Sequence, residues 1–291
     1  MEHGRFDYSP IVQRPVLRMP NDARVALWVT PNVEHFHYDK PAMSLTPMTA
    51  SLKPDVLNYA WRDYGARVGV WRLMEIFERQ AIPVTAALNS EVCEHYPQIV
   101  AEGNRLGWEW MAHGHNNSSL FTGMPEEAER GLIGQVLGVL EKSTGKKPRG
   151  WLGPALTETD NTLDLLAEAG IDYVADWCND ELPYSMKTRK GSMVAMPYTL
   201  EIGDIPVFLM HGGTGEDFYR VVVDQFETLY KDGERIPRVM SISLHPFLSG
   251  HPFRAKHLER ALAHIRSHDR VWFATGSQIV DWYRAQSKAA K

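Results

Sequence analysis

The sequence predicts an α/β protein folded as one (β/α) barrel of about seven to eight strands. Apolar runs of strand length alternate with segments whose apolar residues recur at helical spacing, over most of the 291 residues. Such alternation is typical of a parallel sheet covered by helices. No linker or break in composition divides the chain, so we expect an N-terminal arm, residues 1–22, followed by a single barrel domain, residues 23–291.

Eight short apolar segments are predicted as strands because polar, glycine or proline residues bound each of them. In chain order they are residues 23–30, 83–89, 108–113, 149–154, 172–177, 193–198, 238–245 and 271–275.

The segments between the strands predict helices. Residues 69–80 place Val70, Leu73 and Phe77 on one apolar face. A longer helix begins near Pro125 and ends before Gly145, because proline suits a helix start and glycine a helix end. Further helices are predicted at residues 159–169, at residues 217–230 and around residues 258–265.

A long polar segment with several prolines, residues 41–61, follows the first predicted strand. Connections at the carboxyl ends of barrel strands lie on the face that carries the active site. We therefore expect this segment to form a lid or a substrate wall, which favours a small substrate over a polymer.

Composition excludes several classes of protein. The net charge of −5 argues against binding to nucleic acid or to a membrane surface, because both need clustered Lys and Arg. Two cysteines exclude a disulfide framework and a cysteine-ligated zinc site, and Cys178 is expected to be a buried small residue. The polar N-terminus and the lack of a long apolar run predict a cytoplasmic protein.

Polar and titratable residues collect where the predicted strands end. In a parallel barrel these ends meet at one mouth, which is where catalytic groups lie. The residues are Asn32, Glu34, His35 and His37 after the first strand, His113, His115 and Asn117 after the third, Arg149 and Trp151 on the fourth, Asp176 and Trp177 on the fifth, and His245 on the seventh.

Five of these motifs, in this order, resemble the polysaccharide deacetylase superfamily. They are Asn-Val-Glu at 32–34, His-Gly-His-Asn-Asn at 113–117, Arg-Gly-Trp-Leu-Gly-Pro at 149–154, Asp-Trp at 176–177 and Ser-Leu-His at 243–245. Longer segments, such as MPYTLEIGD and MSISLHPFLSGHPFR, are similar to its allantoinase-like branch. The resemblance covers roughly residues 20–285 and implies a distorted (β/α) barrel of the polysaccharide deacetylase type, a homo-oligomer and hydrolysis of non-peptide C–N bonds.

The resemblance also implies which positions would hold a metal. Deacetylases of this superfamily bind zinc through one Asp and two His, with another Asp as base. These positions fall on Glu34, His113 and Asn117 for the metal and on Asn32 for the base. An amide is a poor zinc ligand and cannot take a proton, so the metal site is incomplete. The implied cofactor is therefore either none or a weakly bound divalent metal such as zinc, and His115 is a candidate replacement ligand.

The remaining roles follow from residue chemistry. Glu34 is the candidate base, and His245 the candidate acid that protonates the departing nitrogen. Asp176 is a candidate to orient His245, and Arg149 to stabilise the oxyanion. Asn32, Trp151, Trp177 and Tyr198 are candidate substrate-binding residues. Alternatively, Glu34 forms a structural ion pair with Arg149, and the aromatic residues belong to the core.

These observations predict a hydrolase that cleaves a small linear or cyclic amide of the ureide, hydantoin or imide type. One alternative is an N-deacetylase of an acetylated carbohydrate. Another is a catalytically inactive ligand-binding barrel, which the amide at Asn32 would suit. The polar N-terminal arm is expected to wrap the barrel or a neighbouring subunit.

Overall fold

The computed structural model describes residues 2–39 and 45–289. Within them, nine strands form one curled sheet. The strands are β1 (Val25–Val33), β2 (Thr85–Leu88), β3 (Glu109–Ala112), β4 (Gly150–Trp151), β5 (Tyr173–Val174), β6 (Tyr184–Thr188), β7 (Gly191–Ala195), β8 (Arg238–Leu244) and β9 (Val271–Phe273).

The sheet runs in the order β6–β7–β5–β4–β3–β2–β1–β8, and β9 pairs with the lower part of β1. All pairings are parallel except the β6–β7 hairpin. The two edges approach each other where Val239 of β8 donates its N–H to the carbonyl of Glu181, at 2.9 Å. The predicted distorted (β/α) barrel of about seven to eight strands is confirmed, in an incompletely closed form with eight parallel strands and the additional antiparallel strand β6.

The sequence did not predict β6. Four of its five residues are partly or fully exposed, because it is an edge strand and only Met186 packs into the core. Its segment therefore lacks the apolar run that identified the other eight.

Helices cover the outside of the sheet. They are α1 (Val56–Tyr64), α2 (Val70–Arg79), α3 (Ser90–His95), α4 (Pro97–Arg105), α5 (Glu126–Thr144), α6 (Thr162–Glu168), α7 (Gly215–Asp232), α8 (Pro246–Ser249), α9 (Pro252–Arg266) and α10 (Gly276–Ala289). All predicted helices are present, with α5 ending at Gly145 in the left-handed conformation. No helix among the described residues is long and apolar enough to cross a membrane.

Strand alternation separates an inner from an outer face of the curled sheet. Ala26 and Trp28 of β1 and Met111 of β3 pack in the interior. Leu27 and Trp151 pack in the larger cluster under the helices. Trp151 is fully buried there, so the prediction that it walls a substrate pocket is wrong.

The N-terminal arm lies on its own barrel. Arg5 makes two hydrogen bonds to the Asp164 carboxylate, at 2.9 and 3.0 Å. Arg14 binds the Asp180 carboxylate at 2.9 and 2.6 Å. The arm was expected to wrap either the barrel or a neighbouring subunit, and the structure shows it against the barrel.

The segment after β1 is described from Leu45 onwards, and residues 41–44 of the predicted lid lie outside the described residues. The Leu45 N–H donates to the side-chain oxygen of Asn58, at 2.9 Å, which ties the segment to α1. A π-helical turn, Gly65–Gly69, joins α1 to α2 and packs against α8. The segment thus brings α1 to the end of β8.

Gly69→Ala tests this packing. A Cβ at Gly69 would overlap the backbone of Pro246, so we expect the free energy of unfolding to fall by about 1–3 kcal/mol. Gly134→Ala in α5 is the matched control, because a Cβ there meets nothing within 4 Å. It should raise the free energy of unfolding by about 0.5–1 kcal/mol. Urea denaturation of both variants measures the difference, and equal stability would contradict the packing.

Candidate active site

Three strand ends bring side chains together around Glu34, which follows β1. Its Oε1 lies 3.3 Å from Nε2 of His113, after β3, and 3.7 Å from Nε2 of His245, after β8. The Asn117 amide N–H also donates to this oxygen. The Glu34 side chain is 5% exposed, so these contacts form in a nearly water-free setting. We call Glu34, His113, Asn117 and His245 the Glu34 cluster.

Asp204 orients His245. The Nδ1–H of His245 donates to Asp204 Oδ1, at 2.7 Å, and its backbone N–H donates to the other oxygen. Ser249 donates to the same carboxylate at 2.7 Å. Because Nδ1 carries the proton that Asp204 accepts, Nε2 is the nitrogen that faces Glu34. Asp176, predicted for this orienting role, is not in contact with His245, and the prediction is corrected to Asp204.

The ring of His113 is held in the same way. Its Nδ1–H donates to the carbonyl of Leu152, at 2.7 Å, so its Nε2 also faces Glu34. Both imidazoles therefore present the same nitrogen to one carboxylate oxygen.

The environment favours an anionic Glu34 beside a cationic His245. Burial acts to raise the pKa of Glu34, but the charge of His245, the hydrogen bond from His113 and the charge of Arg62 outweigh it and lower that pKa. Burial acts to lower the pKa of His245, but Asp204 and Glu34 outweigh it and raise that pKa. Each partner thus stabilises the charged form of the other.

Arg62 of α1 supplies a cation next to the cluster. It lines a small cavity of about 10 Å³ together with Asn32 and Glu34. Its guanidinium lies 3.8 Å from the centre of the Phe36 ring. Burial lowers the pKa of Arg62 to about 10, so it remains charged at neutral pH.

Arg149 lies elsewhere. It precedes β4, at the amino ends of the strands, and binds Asp172 and Asp281 at 2.6 Å each. The prediction that Arg149 stabilises an oxyanion, or pairs with Glu34, is wrong. Arg149 stands before β4 and therefore lies at the opposite end of the sheet from Glu34.

Asn32 and Tyr198 lie beside the cluster, inside the barrel. The Asn32 amide donates to the Tyr198 hydroxyl at 3.1 Å and to the carbonyl of Leu244 at 3.2 Å. Burial raises the pKa of Tyr198, so its hydroxyl stays protonated. Both residues support the floor of the site, where Asn32 acts as a hydrogen-bond donor.

Asn117 does not present a metal ligand. Its side-chain oxygen accepts a hydrogen bond from Asn89 Nδ2, at 3.0 Å, and its N–H groups face Glu34. Asn89 is fixed in turn, since it also accepts the backbone N–H of His35 at 2.9 Å. The predicted metal set therefore reduces to Glu34 and His113, and the residues at these positions do not fit the three-ligand zinc site of the deacetylases.

His115 does not replace the missing ligand. Its Nδ1 is hydrogen-bonded to Ser90 Oγ at 2.7 Å, and its Nε2 lies 3.2 Å from Glu91. The ring thus faces the start of α3 instead of Glu34, and this prediction is also wrong.

Asp176 and Trp177 have partners outside the Glu34 cluster. Asp176 accepts the backbone N–H of Gly153 at 2.6 Å, and burial together with the charge of Glu158 raises its pKa well above the ordinary value. The Trp177 indole donates to Glu158 at 3.1 Å and lines a separate surface pocket under the N-terminal arm. Cys178 is exposed, contrary to expectation.

Sequence reasoning missed Asp204, Arg62 and Asn89. Asp204 stands in the segment MPYTLEIGD, which carries the family resemblance, but it follows no strand end and so was not selected. Arg62 lies just past the predicted lid. Asn89 ends the second predicted strand, where a polar residue was a detectable signal.

A parallel barrel that holds a carboxylate beside an imidazole of raised pKa at its strand ends is typical of enzymes that cleave a bond with water. Residues 59–174 match the model of the family described as polysaccharide deacetylase. A protein of Schizosaccharomyces pombe, whose name places it among the polysaccharide deacetylases, is 30% identical over 241 residues, which are 77% of this chain and 75% of the relative. The chain belongs to the polysaccharide deacetylase family and is a C–N hydrolase.

Solved structures share the whole fold. A probable polysaccharide deacetylase from Pseudomonas aeruginosa PAO1 is 29% identical, with a TM-score of 0.85 over 94% of this chain and 95% of that chain. The PuuE allantoinase is 27% identical, with a TM-score of 0.84 over 96% of this chain and 98% of that chain. The fold is therefore shared both with a protein named as a polysaccharide deacetylase and with one named as an allantoinase.

Proposed function

We propose that the protein hydrolyses the C–N bond of a small linear or cyclic amide of the ureide, hydantoin or imide type. The observation that carries this proposal is the buried pair of Glu34 Oε1 and His245 Nε2, 3.7 Å apart, whose surroundings lower the pKa of the base and raise the pKa of the acid and so favour an anionic Glu34 and a cationic His245. These are the protonation states that water attack on an amide needs.

The reaction begins when Glu34 takes a proton from water and the water oxygen bonds to the carbonyl carbon. Arg62 and the amide of Asn117 are the nearby donors for the negative charge that forms on the carbonyl oxygen. The C–N bond then breaks as His245 Nε2 delivers its proton to the departing nitrogen. Glu34 has then gained one proton and His245 has lost one, and transfer of this proton from Glu34 to His245 restores both groups. A linear amide gives an acid and an amine, whereas a cyclic imide or ureide gives one ring-opened product with a carboxylic acid and an amide or ureide nitrogen.

The surroundings of Glu34 favour a small substrate. The cavity that it shares with Arg62 is about 10 Å³, roughly the space of the one water molecule that attacks, so the substrate itself would approach Glu34 from outside this cavity. Helix α1 covers this side of the mouth, and Arg62 rests on the Phe36 and Phe247 rings. A polymer needs an open groove at the same place.

An N-deacetylase of an acetylated carbohydrate is the second candidate, since the relative from S. pombe carries that family name. A ligand-binding barrel without activity is the third, because Asn32 cannot act as a base. Assays with allantoin, hydantoins, cyclic imides and chitooligosaccharides distinguish the three. Ring opening supports the proposal, acetate release alone supports the second candidate, and binding without turnover supports the third.

The pH dependence of kcat/KM should be bell-shaped. Because the pKa of Glu34 is lowered, the base is lost only below the ordinary range of a glutamate. Because the pKa of His245 is raised, the acid is lost only above the ordinary range of a histidine. Asp204→Asn should move the alkaline limb to lower pH, since it removes the charge that raises the His245 pKa, whereas Asp180→Asn, a carboxylate bound to the arm, should leave it in place. An unchanged alkaline limb in Asp204→Asn would contradict the role of this carboxylate.

A cytoplasmic homo-oligomer also stays a prediction. Exposed apolar side chains follow one another before and within α1, at Met48, Leu52, Val56 and Leu57, and such a patch suits contact with a second copy. Sedimentation of the purified protein should show a species larger than the monomer, and Leu52→Glu should shift it towards the monomer. A monomer at all concentrations would contradict it.

A further inference from the structure

A second group of ionisable side chains lies outside the Glu34 cluster. Four histidines and one carboxylate surround the start of α3, and we call them the Glu91 cluster: His35, His37, Glu91, His95 and His115. Among residues 2–39 and 45–289, the one set of three His, Cys, Asp or Glu side chains whose ligand atoms all lie within 4.8 Å of one another is His35, Glu91 and His95. None of these three takes part in the proposed reaction.

The backbone holds these three residues in place. Glu91 and His95 are four residues apart on α3 and therefore share one face of the helix. The Glu91 N–H donates to the carbonyl of His115 at 3.0 Å, which ties α3 to the loop after β3. The His35 N–H donates to Asn89 at 2.9 Å, which ties the loop after β1 to the same point.

The ring of His35 is oriented as that of a metal ligand is. Its Nδ1 is hydrogen-bonded to the Tyr96 hydroxyl at 3.2 Å. In the tautomer in which Nδ1 donates, the lone pair of Nε2 points towards Glu91, 4.0 Å from Oε2. His95 stacks on His35 with ring centres 4.3 Å apart, and it is exposed, so it is free to turn towards an ion.

The distances suit a small ion of the zinc class. Ligands at about 2.0–2.1 Å around a tetrahedral ion lie roughly 3.3–3.4 Å from one another, so donor atoms within 4.8 Å of one another need to approach by at most about 1.4 Å. Two imidazoles and a carboxylate favour Zn²⁺ over Mg²⁺ or Ca²⁺, which prefer oxygen ligands. Two further imidazoles lie next to the proposed ligands, since Nε2 of His37 and Nε2 of His115 lie 2.7 and 3.2 Å from the Glu91 carboxylate.

We propose that His35, Glu91 and His95 bind one zinc-class divalent ion at a site separate from the Glu34 cluster. The ion joins the loop after β1, the start of α3 and, through Glu91, the loop after β3. These segments carry Glu34, Asn89 and His113. Its effect is to stabilise the scaffold of the active site, and it takes no part in the chemical step.

The test is zinc binding by the full-length protein after treatment with a chelator. Titration with Zn²⁺ against a chromophoric chelator should show one tight site in the wild type. His95→Ala and Glu91→Gln should each weaken it by about 100-fold or more, since even loss of a residue behind a ligand costs 10–100-fold. His264→Ala is the matched control, because His264 is a half-buried helical histidine 3.1 Å from Glu227, and it should bind as the wild type does.

His113→Ala tests whether zinc binds instead at Glu34 and His113, the positions that correspond to the metal site of the deacetylases. Tight binding that survives in His113→Ala and is lost in His95→Ala supports the proposal. Tight binding lost in His113→Ala and kept in His95→Ala overturns it, as does the absence of binding at micromolar zinc. A second readout is the thermal midpoint, which zinc should raise in the wild type and in His264→Ala but not in His95→Ala.

Discussion

Glu34→Gln should lower kcat by about 10²–10⁴-fold on any substrate that the wild type hydrolyses, which is the usual contribution of a general base. Glutamine keeps the shape of the side chain and still accepts the hydrogen bond from Asn117, but it cannot take a proton from water. It also removes one of the charges that raise the pKa of His245, so less of that acid is protonated at neutral pH. Steady-state kinetics at several pH values measure both effects.

Glu158→Gln is the matched control for this variant. Glu158 is a half-buried carboxyl that follows β4 at the same end of the barrel, and partial burial raises its pKa to about 7. Its neutral form already resembles glutamine, so activity should stay within about threefold of the wild type. Wild-type activity in Glu34→Gln, with the fold verified by circular dichroism, would exclude Glu34 as the base.

His245→Ala should lower kcat by a similar factor, about 10²–10⁴-fold, because the departing nitrogen then receives no positioned proton. The loss should depend on the leaving group. An imide nitrogen leaves more readily as an anion than a simple amide nitrogen does, so imides should be affected least. Comparing kcat for an imide and for a simple amide in both proteins measures this dependence.

A structural role for His245 predicts a different result. If the ring only supports the fold, both substrates should lose activity equally, and the thermal midpoint should fall. His251→Ala is the control, because His251 precedes α9 at the same end of the barrel and stacks on Tyr64 with ring centres 4.0 Å apart. This variant should keep activity within about threefold of the wild type.

Local patterns determined the parallel strands and the helices, since alternation and helical spacing are properties of neighbouring residues. They also placed Glu34, His113 and His245 together, because the carboxyl ends of parallel strands must meet at one mouth. The edge strand β6 was not detectable in this way, as only Met186 of its five residues is buried.

Which partner each residue takes was decided only by the tertiary structure. Asp176 lies in a predicted strand and Asp204 does not, yet only Asp204 reaches His245, whose Nδ1–H it accepts at 2.7 Å. Arg149 begins the fourth predicted strand, but β4 starts only at Gly150. Arg149 therefore lies at the amino ends of the strands, opposite the site. Arg62 lies on α1, a helix that was not predicted from the sequence.

The sequence by itself thus determined the class of fold, the carboxylate and the two imidazoles of the site. The tertiary structure decided that Asn117 donates to Glu34, that Asp204 orients His245 and that Trp151 faces the helices. The physical reason is that strand ends constrain position along the chain, whereas hydrogen-bond partners depend on the direction of side chains that are distant in sequence and meet only when the barrel curls.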